Sequence, residues 1–590
     1  MEAKPSYKLS APAESFRPTL IGRNYAISCG HYLAAIAAAR ILDRGGNAVD
    51  AGVTAAMALA VLQPDIVSIA GVAPTLVYRA AERKVTSLAG LGYWPAATSV
   101  DRLRSEGGNS IPEGVLRTVV PAAPATHIEA LRRFGTISFA EAAAPAAELA
   151  AQGFGTYALL ARSLAADASS YARWPSSAAV FLKGGGPPKT GELFRQEDLG
   201  RTLAAMIAAS EHASGGREAG LRAARDYFYR GPVAQAIHEF HAANRGFMTK
   251  DDLAGFEVPV EDTHSVSYGD YEVHSGGAWC QGLLFLQALA TLKVGGEGGQ
   301  LRGLKHNSTA YLHLIVEALN LAFADREAYL GDPKFVNVPV AGMLSDTYGA
   351  AQRKRIAAHR AFGRMPDPGR PAGSEGLSLE HMRRWLGATG TGHAVARDTI
   401  YCSVIDKAGN VYSGTLSDNT HDTPVIPGTG LAISSRGSQS RLQSGHPSEV
   451  KPLKRPRLTP APALVTRGGE PFMALGTPGG DVQMQAMLQV FLNVVEFGMP
   501  VQRAIEASRV WSASFPNSFA PHDYAPGRLC VEEGIDESVS AELGALGHKV
   551  EPWARYPAAG GAVCAVMRDP HSGLFHAGAD PRRECYAIAW

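Results

Sequence analysis

Thr399 is the residue on which chemistry can be built in this chain. It lies in Arg397-Asp-Thr-Ile-Tyr-Cys-Ser-Val-Ile-Asp-Lys-Ala-Gly-Asn-Val-Tyr-Ser-Gly-Thr-Leu-Ser-Asp-Asn419. If the Asp398–Thr399 peptide opens, Thr399 carries a hydroxyl nucleophile and an α-amine on one residue. That amine titrates near pH 8, so a neutral fraction can act as base without a His or Asp partner. The preceding residues favour such an opening. Gly363-Arg-Met-Pro-Asp-Pro-Gly-Arg-Pro-Ala-Gly373 and Gly387-Ala-Thr-Gly-Thr-Gly392 are breaker-rich and predict an exposed, mobile connector over about 363–398, where cleavage is tolerated. Local sequence alone reads Thr399 as one more strand threonine; the rest of the chain argues for the nucleophile.

The elements around Thr399 give it a partner. Thr399–Ile405 and Val411–Ser417 are β-rich runs about Asp406-Lys-Ala-Gly-Asn410, which predicts a hairpin whose three-residue turn is Lys407, Ala408 and Gly409. That register sets Ile405 opposite Val411 and Thr399 opposite Ser417, with Cβ atoms about 4.5–5.5 Å apart. A slip of one residue sends Ser417 to the other face. A second feature, Gly476-Thr-Pro-Gly-Gly480, ends a strand and opens a helix. Its backbone N–H groups suit an oxyanion, with Gly479 and Gly480 allowing close approach, although a plain strand-to-helix turn fits the same residues.

Other groups are weaker. His238 and His241 lack the His-Glu-x-x-His spacing of a zinc helix and read as a surface pair. Arg436, Arg441, Lys451, Lys454, Arg455 and Arg457 read either as a solvated loop face or as capture of a substrate carboxylate. There is no Gly-x-Ser-x-Gly elbow and no dinucleotide fingerprint.

Ala-rich helices are predicted at His31–Leu42 and Asn47–Leu62, with Gly45 ending the first and Asn47 capping the second. Further helices are predicted at Ala123–Arg133, Ser138–Ala151, Gly200–Ala208, up to Leu292, at Ser308–Tyr329 (amphipathic), at Val482–Phe497 and at Val501–Ser508. Strands are predicted at Ala73–Arg79, Val85–Ala89, Ser265–His274, within Leu464–Leu475, at Gly561–Arg568 and at Gly573–Gly578. Helices thus gather in the first two thirds and strands in the last, as sheets covered by helices and formed from both sides of the connector.

The 590 residues exceed one ordinary domain by length, and 46% hydrophobic with 19% charged residues is globular. A net charge of +1 argues against nucleic acid or an anionic membrane as partner. Met1–Thr19 lacks an apolar core, so no signal peptide is read, and Ala51–Leu62 is too short to span a bilayer. Six cysteines without a CxxC pair fit a reducing compartment, and cytoplasm is the expected location.

Taken in order, several motifs resemble the γ-glutamyltransferase family of N-terminal-nucleophile hydrolases. They are Gly45-Gly-Asn-Ala-Val-Asp50, Val120-Pro121, Lys250-Asp-Asp-Leu253, Ser275-Gly-Gly277, Glu317-Ala318, Phe323-Ala-Asp-Arg326, Tyr329-Leu-Gly-Asp332, Ser403-Val-Ile-Asp406, Gly409-Asn410, Arg455-Pro456 and Thr477-Pro-Gly-Gly480. The resemblance implies an α+β, four-layer αββα sandwich built from two segments of one self-cleaved precursor. They are a large subunit 1–398 and a small subunit 399–590, with cleavage between Asp398 and Thr399. It implies Thr399 as nucleophile, Ser417 as the second hydroxyl, Gly479 and Gly480 as oxyanion donors and Asn419 as a substrate contact. No cofactor or metal is implied, and the partner is a small-molecule amide; a homo-oligomer is left open.

The departures from the family pattern fall where glutamate is recognised. The Arg that grips the α-carboxylate is replaced within Leu91-Gly-Tyr-Trp-Pro95, the amine-binding Asp falls near Gln439, a neighbouring Gln position is Arg436, and a Ser-Ser pair becomes Leu458-Thr459. A site that loses the partners of buried charges binds those charges poorly. The expected reading is an acylase for a non-γ-glutamyl amide whose acyl group has a carboxylate but no amine, or for a different amide altogether. A true γ-glutamyltransferase or glutathione hydrolase and an uncleaved, non-catalytic scaffold are the alternatives.

Overall fold

The computed structural model describes residues 15–293, 301, 303–374 and 398–590. The connector predicted at about 363–398 is irregular over 363–374, and 375–397 lies outside the described residues.

The hairpin forms with the register the sequence predicts. Ile400 pairs with Leu416 and Ile405 with Val411, and Gly409 takes a φ of 86° in the turn. Asp406 fixes this end from both sides. One carboxylate oxygen accepts the Ala408 and Asn410 N–H groups, and the other accepts the Ala48 N–H at the start of a helix. Asn47 caps that helix, Ala48–Leu62, in a reciprocal box with Asp50, and Gly45 has a φ of 92°.

The hairpin strands sit in the middle of an antiparallel seven-stranded sheet. Its order is Tyr586–Ala589, Tyr25–Cys29, Ile400–Asp406, Val411–Leu416, Thr75–Arg79, Lys84–Leu88 and Val260–Asp262. A second antiparallel seven-stranded sheet runs Leu20–Gly22, Phe575–Ala579, Cys564–Arg568, Glu470–Gly476, Ala463–Arg467, Tyr271–Ser275 and His264–Tyr268. The two sheets face each other, and two glycines set the spacing of the layers. A Cβ on Gly476 meets the Tyr401 ring at 2.2 Å, and one on Gly52 meets the Tyr412 ring at 2.2 Å. Tyr32–Asp43 and Ala48–Leu62 cover the first sheet, while Gly282–Leu292 and Gln483–Val495 cover the second. This is the expected αββα sandwich.

Several local expectations are corrected. Seven of the fourteen sandwich strands precede Asp398, so strands are not confined to the last third. Ser265–His274 is a hairpin, His264–Tyr268 and Tyr271–Ser275, because Gly269 turns the chain at a φ of 56°. The helix Thr309–Tyr329 is buried on all sides from Tyr311 onward, not amphipathic, since Asp325, Arg326 and Glu327 find protein partners. Helices at Ala158–Ala166 and Gly216–Tyr229 were not anticipated, and the helix that carries His238 and His241 spans Pro232–Ala243. His241 is buried, not on the surface, and its Nδ1 accepts the Met248 N–H. No described helix is long and apolar enough to cross a membrane, and the six cysteines are free and buried.

Candidate active site

Strand pairing delivers the two hydroxyls to one point. Ser417 exchanges backbone hydrogen bonds with Val72, which extends the ladder past Leu416 and leaves its side chain beside Thr399. Thr399 Oγ lies 2.6 Å from Ser417 Oγ. Both hydroxyls also reach one oxygen of the Asp398 carboxylate, at 2.8 and 3.2 Å. The same oxygen accepts from Arg436 at 3.0 Å. Asp398, Thr399, Ser417 and Arg436 are fully buried.

Thr399 has a φ of 74°. For a β-branched residue this left-handed conformation is strained, at a cost of order 1–3 kcal/mol, and such strain collects at reacting positions. The residue is held there by its N–H, which donates to the Ile66 carbonyl at 3.3 Å, and by its hydroxyl contacts. Gln483 Nε2 lies 3.5 Å from the Thr399 hydroxyl.

Opposite the Asp398–Thr399 peptide stands the Gly476–Gly480 turn. The Gly479 N–H points at the Asp398 carbonyl oxygen at 3.3 Å, with Gly479 at a φ of 115° that only glycine adopts freely. The turn leads through a short helical turn, Gly480–Val482, into Gln483–Val495. It is anchored behind by a buried network. Gln281 Nε2 donates to the Gly480 carbonyl, and Arg326 and Ser518 both donate to the Asp481 carboxylate. Asp398 enters the sequence reading only as a cleavage-site residue, and Gln483, Gln281 and Asp481 were not singled out from sequence. Their separation from Thr399 along the chain, Asp398 apart, hides them; only Arg326 lay in a motif.

Arg436 differs from the other buried arginines. Its Nε and second terminal nitrogen have no hydrogen-bond partner among the described residues. Its guanidinium lies over the Phe519 ring at 5.3 Å, and Asp418 is 4.0 Å away. Burial raises the Asp418 carboxyl, although Arg436 and the Ser435 hydroxyl and N–H oppose this, and the Asn419 N–H also donates to it. Asn419 lines a polar cavity of about 500 Å³ with Ser438, Phe519, Arg117 and Asp422. Ile66 lines a second, more apolar cavity of about 500 Å³ with Asp65, Arg583 and Trp553.

The remaining predicted residues are placed as follows. Gln439 and Thr459 bond each other, Nε2 to Oγ at 2.8 Å and N–H to Oε1 at 3.2 Å. Leu458 bridges to Cys280, and Leu91 is buried in an apolar cluster. Apart from Lys451 the basic cluster is buried and partnered, not a solvated face, with Arg436 on Asp398. Arg441 and Arg457 grip Glu327, and Arg455 grips Asp332 and Glu261. Burial works to raise the Glu327 carboxyl, yet Arg457, Arg441 and Arg326 hold it well below the usual range. Burial lowers Lys454 to about 8, and its ammonium donates to the Pro447 carbonyl; Lys451 alone of the group is exposed.

Comparison with known proteins gives the family and the fold. A family model described as gamma-glutamyltranspeptidase matches residues 34–590. The acylase ACY 1 proenzyme of Pseudomonas sp. (strain V22) is 30% identical over 92% of this chain and 90% of its own. The glutathione hydrolase-like YwrD proenzyme of Bacillus subtilis (strain 168) is 29% identical over 97% of this chain and 99% of its own. The crystal structure of a cephalosporin acylase from Bacillus halodurans matches with a TM-score of 0.83 at 27% identity, over 100% of this chain and 99% of that one. These relatives are acylases and hydrolases, several of them proenzymes, and the family-level reading is an amide-hydrolysing proenzyme. On the family match and the shared fold, the chain belongs to the gamma-glutamyltranspeptidase family.

Proposed function

We propose that the chain cleaves itself between Asp398 and Thr399 and then hydrolyses amides whose acyl group carries a carboxylate but no α-amine. One observation carries this reading: the uncleaved Asp398–Thr399 peptide lies as a substrate would. Its carbonyl oxygen faces the Gly479 N–H, its side-chain carboxylate sits on Arg436, and the Thr399 hydroxyl lies against Ser417.

In the first reaction Thr399 Oγ adds to the Asp398 carbonyl carbon and the C–N bond breaks. The hydroxyl proton passes by way of the Asp398 carboxylate or Ser417 to the departing nitrogen. Water then cleaves the resulting ester, leaving residues up to 398 with a carboxylate end and Thr399 with a free amine. In the second reaction the amine accepts the Thr399 hydroxyl proton as Oγ attacks the substrate amide, and it returns that proton to the leaving amine. The acyl-enzyme is released by water, with the glycine N–H groups stabilising the oxyanion in both halves.

Removal of the Asp398 carboxylate on cleavage leaves Arg436 buried with all its donors to fill. A substrate carboxylate at the spacing of the Asp398 side chain, as in a succinyl or slightly longer dicarboxylic monoamide, meets that need. The glutamate-recognising residues of the family are replaced at Leu91 and Gln439, and Leu91 is committed to the core. The γ-glutamyl reading is kept open by the YwrD relative, described as glutathione hydrolase-like. Mass analysis of aged protein and a panel of acyl anilides separate these readings. A fragment beginning Thr-Ile-Tyr-Cys-Ser with selective turnover of dicarboxylic monoamides supports the proposal. Rapid turnover of a γ-glutamyl anilide supports the alternative, and an unbroken, inactive chain supports neither enzyme.

A further inference from the structure

The helix Thr309–Tyr329 carries His313 and Glu317 one turn apart, so both side chains leave the same face. His548, between the helix Glu537–Ala545 and the strand Lys549–Trp553, closes on them. One ligand atom from each of the three lies within 4.8 Å of the others, and all three residues are buried. None of them takes part in the reaction derived above.

The hydrogen bonds fix which nitrogens carry protons. His313 Nε2 is 2.9 Å from the Ala357 carbonyl, which can only accept, so Nε2 bears the hydrogen and Nδ1 a lone pair. That lone pair faces His548 Nε2 at 3.0 Å, so His548 Nε2 donates to it. His548 Nδ1 is then also a lone pair, and it faces the Glu317 carboxylate at 3.9 Å. Two acceptors therefore look at each other inside the protein, a contact that a cation resolves. The carboxylate is held in place by the Phe362 N–H at 3.1 Å and the Asn320 amide at 3.2 Å.

We propose that His313, Glu317 and His548 form a divalent-cation site suited to Zn²⁺. Two imidazoles and one carboxylate are a known zinc donor set that leaves a fourth position for water. Tetrahedral bonds of about 2.0–2.1 Å set ligand atoms roughly 3.3 Å apart, close to the spacing of the two imidazoles; Glu317 closes the remainder by a small side-chain movement. The ion takes the place of the hydrogen between the imidazoles, which moves to His548 Nδ1 on the side of the Glu317 carboxylate, so both histidines bind as neutral imidazoles. The outer contacts already have the form that orients metal ligands, a histidine donating its far N–H to a carbonyl and a carboxylate held by neighbours. Ala357 and Phe362 belong to the segment entering the connector, and the Ala361 N–H bonds the Leu546 carbonyl. The site thus ties that segment to the long helix and to the His548 turn, a structural role separate from Thr399.

The test uses the full chain, stripped with chelator and then titrated with Zn²⁺ against a chromophoric indicator, and with Co²⁺ as a visible probe. The expected result is about one equivalent bound per chain, a tetrahedral Co²⁺ spectrum, and a zinc-dependent rise in the melting midpoint. His548→Gln and Glu317→Gln lose tight binding and the rise, while Asn320→Ala weakens binding about 10- to 100-fold. Equal zinc binding by the native chain and a folded His548→Gln overturns the proposal. If neither ligand variant folds, the native spectrum decides: an octahedral or absent Co²⁺ spectrum overturns the site.

Discussion

Arg436→Gln gives the sharpest test of the substrate reading. Arg436 is fully buried and contacts the Asp398 carboxylate at 3.0 Å through one nitrogen, with two more nitrogens lacking hydrogen-bond partners among the described residues. A hydrogen bond to a charged group contributes about 1.5–3 kcal/mol, and glutamine keeps a donor but not the charge. Loss of that interaction in the cleaved enzyme lowers kcat/KM for a carboxylate-bearing acyl anilide roughly 10- to 150-fold, at about 1.4 kcal/mol per tenfold. A neutral acyl anilide of the same length makes no such contact, so its kcat/KM changes no more than a few-fold. The ratio of the two rates is therefore the readout. The same change leaves the Asp398 carboxylate buried without its cation in the precursor, at a cost of about 3–5 kcal/mol, so processing slows as well. Rates are accordingly expressed per mole of cleaved chain, measured by mass. An equal fall for both anilides, or no fall for either, refutes the assignment of Arg436.

Three further outcomes follow from the same geometry. Thr399→Ala gives no cleavage and no activity on gels and in the anilide assay, whereas Ser417→Ala, which removes one neutral hydrogen bond, slows both by about tenfold; activity in uncleaved Thr399→Ala protein contradicts the nucleophile. Asp398→Asn keeps an acceptor oxygen but removes the charge and the carboxylate that can carry the hydroxyl proton, and it lengthens the processing half-time by about tenfold or more. It leaves the activity per cleaved chain nearly unchanged, and unaltered processing excludes the carboxylate from the first reaction. Burial lowers His31, His127 and His241 to about 4 and His446 to about 3. The unfolded chain takes up protons at these residues near pH 6.5, before the folded chain does, so stability is complete above 6.5 and falls between about 6.5 and 4. Each histidine contributes up to about 1.4 kcal/mol per pH unit, and melting midpoints recorded across that range are expected to drop steeply; a flat profile refutes it.

Much of the reacting geometry was legible because it rests on local rules. Gly409 sets a three-residue turn, the turn sets the register, and the register sets Thr399 opposite Ser417. Asn47 and Gly45 terminate the first helix pair by short-range capping, which sequence also carries. What stayed hidden depends on pairing over long separations. Arg441 and Arg457 look like solvent-facing charges until Glu327, more than a hundred residues earlier, is placed between them. The same network makes the helix Thr309–Tyr329 buried on every side, because its acids and Arg326 are satisfied internally and its polar residues then give a false amphipathic pattern. His241 misled for a related reason, since its burial is set by the loop through Gly246 and Met248 and not by its own helix.

The topology is also compatible with the proposed break in the centre of the chain. The strand after Thr399 pairs on one side with Tyr25–Cys29, and its hairpin partner pairs with Thr75–Arg79, both from before Asp398. The C-terminal strand Tyr586–Ala589 in turn pairs with Tyr25–Cys29. Opening the Asp398–Thr399 bond therefore cuts no strand of either sheet. It frees one residue with a φ of 74° from a strained link and detaches one end of the connector. The strain sits where a single bond can release it, while the sheets that hold Ser417, Arg436 and the Gly479 turn in register are anchored from both fragments. Rigid placement of the partners and a strained bond between them are together what an N-terminal nucleophile generated in place requires.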